Sequence, residues 1–202
     1  MKLIGLFDSP YVRRVAVSMR LLGFPFEHVA LSVFRNQDEM RLINPLVKVP
    51  MLVLDDGEKL IESSFILDYL DELAGPERRL LPAAGAPRRR MLQHCAVALV
   101  AMEKAVQVHY EKDRRPADKV LDEWLARVMR QMHDAFAMLD AMPSTGVMAG
   151  AAIDQADITS AVALRFARHV HPAEFPVGRY PQLEKLSAHC EALPAFIEIP
   201  LE

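Results

Sequence analysis

The chain has 202 residues, 51% of them hydrophobic and 25% charged, and a formal net charge of −3 at pH 7. That length and balance suit a globular protein of one large or two small domains, and the near-neutral charge leaves no broad electrostatic case for nucleic acid. No secretory leader is read ahead of the first apolar segment, no apolar run approaches the ~20 residues that span a bilayer, and Cys95 and Cys190 form no CxxC or metal pattern, so a cytoplasmic protein with buried free thiols is expected.

Residues 2–7 read as a strand. Residues 12–22 place Val12, Val15, Ala16, Met19 and Leu22 on one helical face, and Gly23 and Pro25 close that helix. Residues 26–31 alternate as a second strand. Residues 37–43 read as a short helix or turn ending at Asn44-Pro45, and residues 49–54 as a third strand closed by the Asp55-Asp56-Gly57 turn. Residues 59–61 are a fourth strand. Residues 63–73 are a helix with Ile66, Leu67, Leu70 and Leu73 inward. The order βαβαββα over residues 1–75 is that of a small α/β domain. Residues 76–87, rich in Pro, Gly and Arg, read as a linker. Residues 88–202 read as all-helical, with helices over 88–112, 119–142, 153–170 and 181–193. Arg88-Arg89-Arg90 opposes the dipole of the helix it opens, which points to an acidic neighbour from a second subunit. His169-x-His171 lacks companion ligands at zinc-type spacing, so surface histidines and no metal site are expected.

Ser9-Pro10-Tyr11-Val12 stands where the first strand hands over to the first helix. A hydroxyl is thereby delivered to a helix N-terminus, where unpaired N–H groups favour anions. Ser followed by Pro is equally an ordinary N-cap with an ordinary first helical residue. The word also has the shape of Cys-Pro-Tyr-Cys, the redox motif of thioredoxin-like proteins, with both sulfurs removed. Such a site can hold a substrate's thiolate but cannot form its own disulfide. Two further words follow: Asn44-Pro45-Leu46-Val47-Lys48-Val49-Pro50 and Ile61-Glu62-Ser63-Ser64.

In order and spacing, the three words resemble the cytosolic glutathione transferase family, over essentially the whole chain. With serine at position 9 the chain looks like a bacterial, serine-type member. The resemblance implies a thioredoxin-like first domain that binds glutathione, a linker, and an all-α helical bundle lining a second-substrate pocket. It makes the Asn44–Pro50 word the loop before a cis-proline, although Pro50 alone could simply begin an edge strand. A cis Val49-Pro50 bond turns the Val49 N–H and C=O outward to pair with an extended peptide such as glutathione. Ser63 then meets the γ-glutamyl carboxylate at a helix N-terminus and Glu62 the adjacent ammonium, while plain N-capping by Ser63 is compatible with both. Lys48 is assigned to the glycyl carboxylate, with Asn36 and Gln37 on the same rim.

Tyrosine-using members place their phenol on the first strand, where Phe7 and Asp8 stand here, and cysteine-using members carry a thiol where Ser9 stands. Ser9 is therefore the first choice for the catalytic hydroxyl and Tyr11 the second. Met102, Val106 and Tyr110 share a helical stripe that is either pocket wall or core. Asp154-Gln155-Ala156-Asp157 resembles the family's buried capping box, with Asp in the place of Ser or Thr. The implied function is conjugation of the glutathione thiolate to a small hydrophobic electrophile, a detoxification chemistry, by a cytoplasmic homodimer that needs glutathione as co-substrate, no metal, no nucleic acid and no membrane. The alternatives are a non-catalytic glutathione-binding or interaction protein on the same fold, or a glutathione-dependent peroxidase.

Overall fold

Strand β1 (Lys2–Ile4) lies at the centre of a four-stranded sheet in the computed structural model of the protein, which describes residues 1–201. It pairs in parallel with β2 (Glu27–Val29) and antiparallel with β3 (Met51–Val53), and β4 (Lys59–Ile61) closes the edge beyond β3. Leu3 stands opposite Leu52, and both are buried. Their neighbours Ile4 and Met51 turn to the other face, as strand alternation requires, and pack with Leu31 and Met40. Helices α1 (Pro10–Leu21), α2 (Gln37–Ile43) and α3 (Ser63–Ala74) complete the expected βαβαββα order, with α1 packed on α3. The first strand ends at Ile4, three residues before the predicted limit, because Gly5 turns the chain at a φ of 130°.

The second compact unit, residues 82–192, contains α4 (Gly85–Asp113), α5 (Asp122–Ala141), α6 (Gln155–Val170) and α7 (Pro181–Glu191). Helix α4 packs on α5 and α6, and α7 on α5 and α6. Every residue from Gln155 to Leu164 is buried, the polar Gln155, Asp157, Thr159 and Ser160 included. Cys95 and Cys190 are buried and free, and burial pushes the Cys190 thiol up to about 12.

Two expectations require correction. The final segment, placed by sequence with the helical domain, packs in the structure with the first unit. There α8 (Pro194–Ile197) lies on α1. The buried Arg13 donates from Nε to the Ile199 carbonyl at 2.9 Å, and its guanidinium sits 5.5 Å from the Phe196 ring centroid. A buried guanidinium must find acceptors, and these lie 186 residues away in the chain, beyond the reach of local pattern. His171, expected at the surface, is only 4% exposed. Its Nε2 is 2.9 Å from the Ala105 carbonyl, and burial pushes its pKa down.

The box that opens α6 is formed by two buried carboxylates. Asp154 Oδ1 accepts from the Ala156 and Asp157 N–H groups at 2.8 and 2.9 Å, and Asp157 Oδ2 accepts from those of Asp154 and Val147 at 3.4 and 2.8 Å. The Thr145 hydroxyl donates to Asp154 Oδ2 at 2.6 Å. Burial, with the Asp154 charge alongside, pushes Asp157 up from 3.8 to about 6, against the pull of its backbone donors. A raised carboxyl pKa means that the folded chain binds this proton more tightly than the unfolded chain. Its contribution to stability is full below pH 4 and is lost as pH rises through 6. Urea titrations should therefore show the stability of wild type relative to Asp157→Asn falling by up to about 3 kcal/mol between pH 4 and 7. A difference that stays flat over that range contradicts the assignment.

Candidate functional site

Gly5 is where the first two sequence words meet. A Cβ added there would stand 2.6 Å from Val12 Cγ2 and 3.0 Å from Val49 Cβ, so only glycine fits, and its φ of 130° is one that side chains rarely adopt. The β1–α1 loop, the first turn of α1 and the loop before Pro50 therefore come together at this residue. Ser9 caps α1: its Oγ accepts from the Val12 N–H at 3.4 Å, its carbonyl accepts from the Arg13 N–H at 2.9 Å, and Pro10 follows at the first helical position. The hydroxyl proton is not used in that capping bond and remains available for donation. The first turn of α1 carries no acidic residue, so nothing on the helix itself neutralises the positive end of its dipole. Tyr11, half-buried, belongs to the same turn.

The Val49-Pro50 bond is cis. The loop before it is organised by the buried Asn44, whose Nδ2 donates to the Lys48 carbonyl at 2.9 Å and whose Oδ1 accepts from the Leu46 N–H at 3.1 Å. Val49 is half-buried against the cluster of Ile4, Leu31, Met40 and Met51, and Lys48 is exposed.

Glu62, not Ser63, caps α3. It holds a φ of 71°, unusual for a residue with a side chain, and its Oε2 accepts from the Ser64 N–H at 3.0 Å. Ser63, 1% exposed, is the first helical residue. Its Oγ donates to Glu62 Oε1 at 3.4 Å and accepts from Arg14 Nη1 at 3.2 Å, and the same Nη1 reaches Ser64 Oγ at 3.4 Å. Arg14 is a residue that the sequence reading missed. Its signal was a charge inside the buried stretch Val12–Met19. The first half of α1 thus touches the third word, Ser63 through Arg14, and Gly5 lies between its Val12 and Val49 of the second.

The remaining candidates fall elsewhere. Asn36 serves the entrance to α2, where its Oδ1 accepts from the Ser32 N–H at 3.1 Å and its Nδ2 lies 3.5 Å from Glu39. Gln37 is exposed on α2. Met102 is wholly buried in the helical unit, Val106 half-buried and Tyr110 43% exposed, so that stripe begins as core and reaches the surface only at its C-terminal end.

Residues 3–78 match the family model of the glutathione S-transferase N-terminal domain. The chain is 28% identical over 188 residues to the uncharacterized GST-like protein YibF of Escherichia coli K12, covering 92% of this chain and 91% of that protein. It is 32% identical over 108 residues to maleylacetoacetate isomerase of Pseudomonas aeruginosa, half of each chain. A crystal structure of a glutathione transferase family member from Pseudomonas fluorescens Pf-5 with bound glutathione superposes with a TM-score of 0.87 at 30% identity, covering 100% of this chain and 98% of that one. A serine-capped helix, a cis-proline loop and a Glu-Ser helix start, set in a full-length match to a glutathione-bound relative, lead to one conclusion: the chain belongs to the glutathione transferase family.

Proposed function

We propose that the protein is a cytoplasmic glutathione transferase that activates the glutathione thiol beside Ser9 and conjugates it to a small hydrophobic electrophile. The observation that carries this reading is the Ser9 hydroxyl at the N-terminus of α1, whose first turn carries no acidic residue, in the helix that also contacts Ser63 and lies beside Gly5. Glutathione would pair its cysteinyl backbone with the Val49 N–H and C=O, as an added strand does. Its γ-glutamyl carboxylate would take the Ser63 hydroxyl and the α3 N-terminus, with the Arg14 charge behind them, and its ammonium would meet Glu62. Lys48 is assigned to the glycyl carboxylate. The thiol proton leaves to solvent, the sulfur pair forms the C–S bond, and the electrophile's leaving group departs with its own electron pair or, in an addition, the product takes a proton.

A free thiol titrates at about 8.5, and bringing it to about 6.5 needs on the order of 2.7 kcal/mol of preference for the anion. A hydroxyl hydrogen bond together with a helix N-terminus is of that size.

The reading includes a homodimer. Apolar side chains stand exposed in each unit: Ile61 and Phe65, the latter 74% exposed, at the β4–α3 turn, and Leu92 and Val100 along one line of α4. Among the described residues no helix is long and apolar enough to cross a membrane, and burial against a second copy is the assignment that suits these patches. A stable dimer buries at least ~1,000 Å² in total. Light scattering at micromolar concentration should give twice the 22.7 kDa chain mass, and a monomer mass removes the dimer.

Binding and chemistry separate by mutation. Ser63→Ala should weaken glutathione binding about tenfold or more, since a hydrogen bond to a charged group contributes roughly 1.5–3 kcal/mol. Ser9→Ala should raise the bound thiol pKa and slow conjugation at neutral pH, with recovery at high pH, and should leave affinity nearly unchanged at about pH 5.5, where the bound sulfur is protonated with or without Ser9. Tyr11→Phe is the control and should leave the titration in place. The readout is ultraviolet thiolate absorbance against pH, followed by turnover on a panel of electrophiles and hydroperoxides that includes maleylacetoacetate. If Tyr11→Phe moves the titration and Ser9→Ala does not, Tyr11 is the activating hydroxyl. Wild type without a depressed thiol pKa leaves a non-catalytic glutathione-binding protein.

A further inference from the structure

We propose that His28 is a positioning residue that sets the Ser9 hydroxyl at the glutathione sulfur by clamping the Gly5–Phe7 loop. The proposal rests on the reading of Ser9 as the thiol-activating group.

Four residues separate the end of β1 from Ser9, and their path is held from β2. The Gly5 N–H donates to the Val29 carbonyl at 3.1 Å. The Gly5 carbonyl lies 2.7 Å from His28 Nε2, which must carry the proton, because a carbonyl only accepts. The same imidazole lies flat on the Phe7 ring, with centroids 3.8 Å apart and planes 9° from parallel. One side chain therefore grips both ends of Gly5-Leu6-Phe7. The residue between them supplies the next link, since the Ser9 N–H donates to the Leu6 carbonyl at 3.2 Å. His28 is itself fixed by its parallel register with Leu3 of β1. The chain of support runs from β2 to His28, to Gly5 and Phe7, and through Leu6 to Ser9.

Ser9's own side-chain tie to α1 is long, at 3.4 Å, so its hydroxyl answers to the loop on its N-terminal side as well as to the backbone bond from the Arg13 N–H to the Ser9 carbonyl. A hydroxyl–thiolate hydrogen bond weakens steeply as distance and angle depart from ideal, and a small shift of the loop reads directly as a change in thiol acidity. The assigned binding residues Glu62 and Ser63 lie on another segment, and Ser63 is held by Arg14 rather than by this grip. Of the assigned binding residues only Val49 adjoins the clamped loop, at Gly5, so the clamp acts first on activation.

The test measures thiolate absorbance against pH, glutathione affinity by calorimetry and melting temperature for His28→Ala and His28→Gln, each with and without Ser9→Ala. His28→Ala should raise the bound thiol pKa by about one unit and slow conjugation about tenfold below that pKa, with rate restored at high pH and with affinity nearly unchanged at about pH 5.5, where the bound sulfur is protonated in every variant. His28→Gln keeps a side-chain N–H for the Gly5 carbonyl and should recover part of the shift. On the Ser9→Ala background neither change should move the titration further, the signature of two residues acting as one unit. A lowered melting temperature with an unmoved thiol pKa overturns the proposal, as does an equal shift with and without Ser9. Should His28→Ala not fold, His28→Gln alone decides between these outcomes. A wild-type complex whose thiol titrates in the ordinary range overturns the activation reading and the clamp together, and that result is seen before any variant is made.

Discussion

The contact of Gly5 with Val12 and Val49 is the constraint on which the first unit depends. No Cβ fits between these side chains, and that absence allows the chain to leave the sheet, turn, and enter α1 directly beneath the cis-proline loop. A side chain at position 5 would push apart the helix that presents Ser9 and the loop that presents Val49. Close approach of backbone elements is a use of glycine that outweighs its entropic cost. Here it brings the N-terminal turn of α1 and the loop before Pro50 together.

From that point α1 acts as the hub. Its two buried arginines turn in different directions: Arg14 reaches Ser63 and Ser64 at the start of α3, and Arg13 holds Phe196 and the Ile199 carbonyl near the chain's end. Burying a guanidinium is costly unless its donors are met, so each arginine demands a defined partner geometry. The two demands fix α3 and the last turn of the chain against one helix. The Glu62 backbone at a φ of 71° follows from the same arrangement. A tight entry to α3 lets the Glu62 carboxylate fold back onto Ser64 N–H while Ser63 faces Arg14.

Much of this was legible in the sequence because it is local. Apolar spacing gave α1 and α3 to within two residues at each end, the Ser-Pro word gave the first cap, and the family resemblance of Asp154–Asp157 gave the box at α6. Strand limits were read too long, since apolar alternation continues through Gly5, Phe26 and Leu54 although pairing does not. What escaped is non-local. Arg14 meets Ser63 across 49 residues, His28 meets Gly5 across 23, and Arg13 meets Ile199 across 186. No periodicity encodes these pairs. His171 escaped for the same reason: its partner is a backbone carbonyl on another helix, 66 residues earlier. Asn44 was noticed only as punctuation before a proline, yet its amide braces the whole turn up to Lys48.

The placement of sulfur has a chemical consequence for a molecule of this family. Both cysteines are buried, Cys190 is held far from ionisation, and serine stands at the head of α1. Alkylating agents react with thiolates, and a shielded, protonated thiol is a poor target. The chain can therefore stand beside a reactive electrophile without competing for it. Among the described residues no exposed cysteine offers a target for arylation or for a mixed disulfide with oxidised glutathione. In the proposed reaction the sulfur chemistry would belong to the diffusible tripeptide, consumed and replaced at each turnover, and not to the polypeptide.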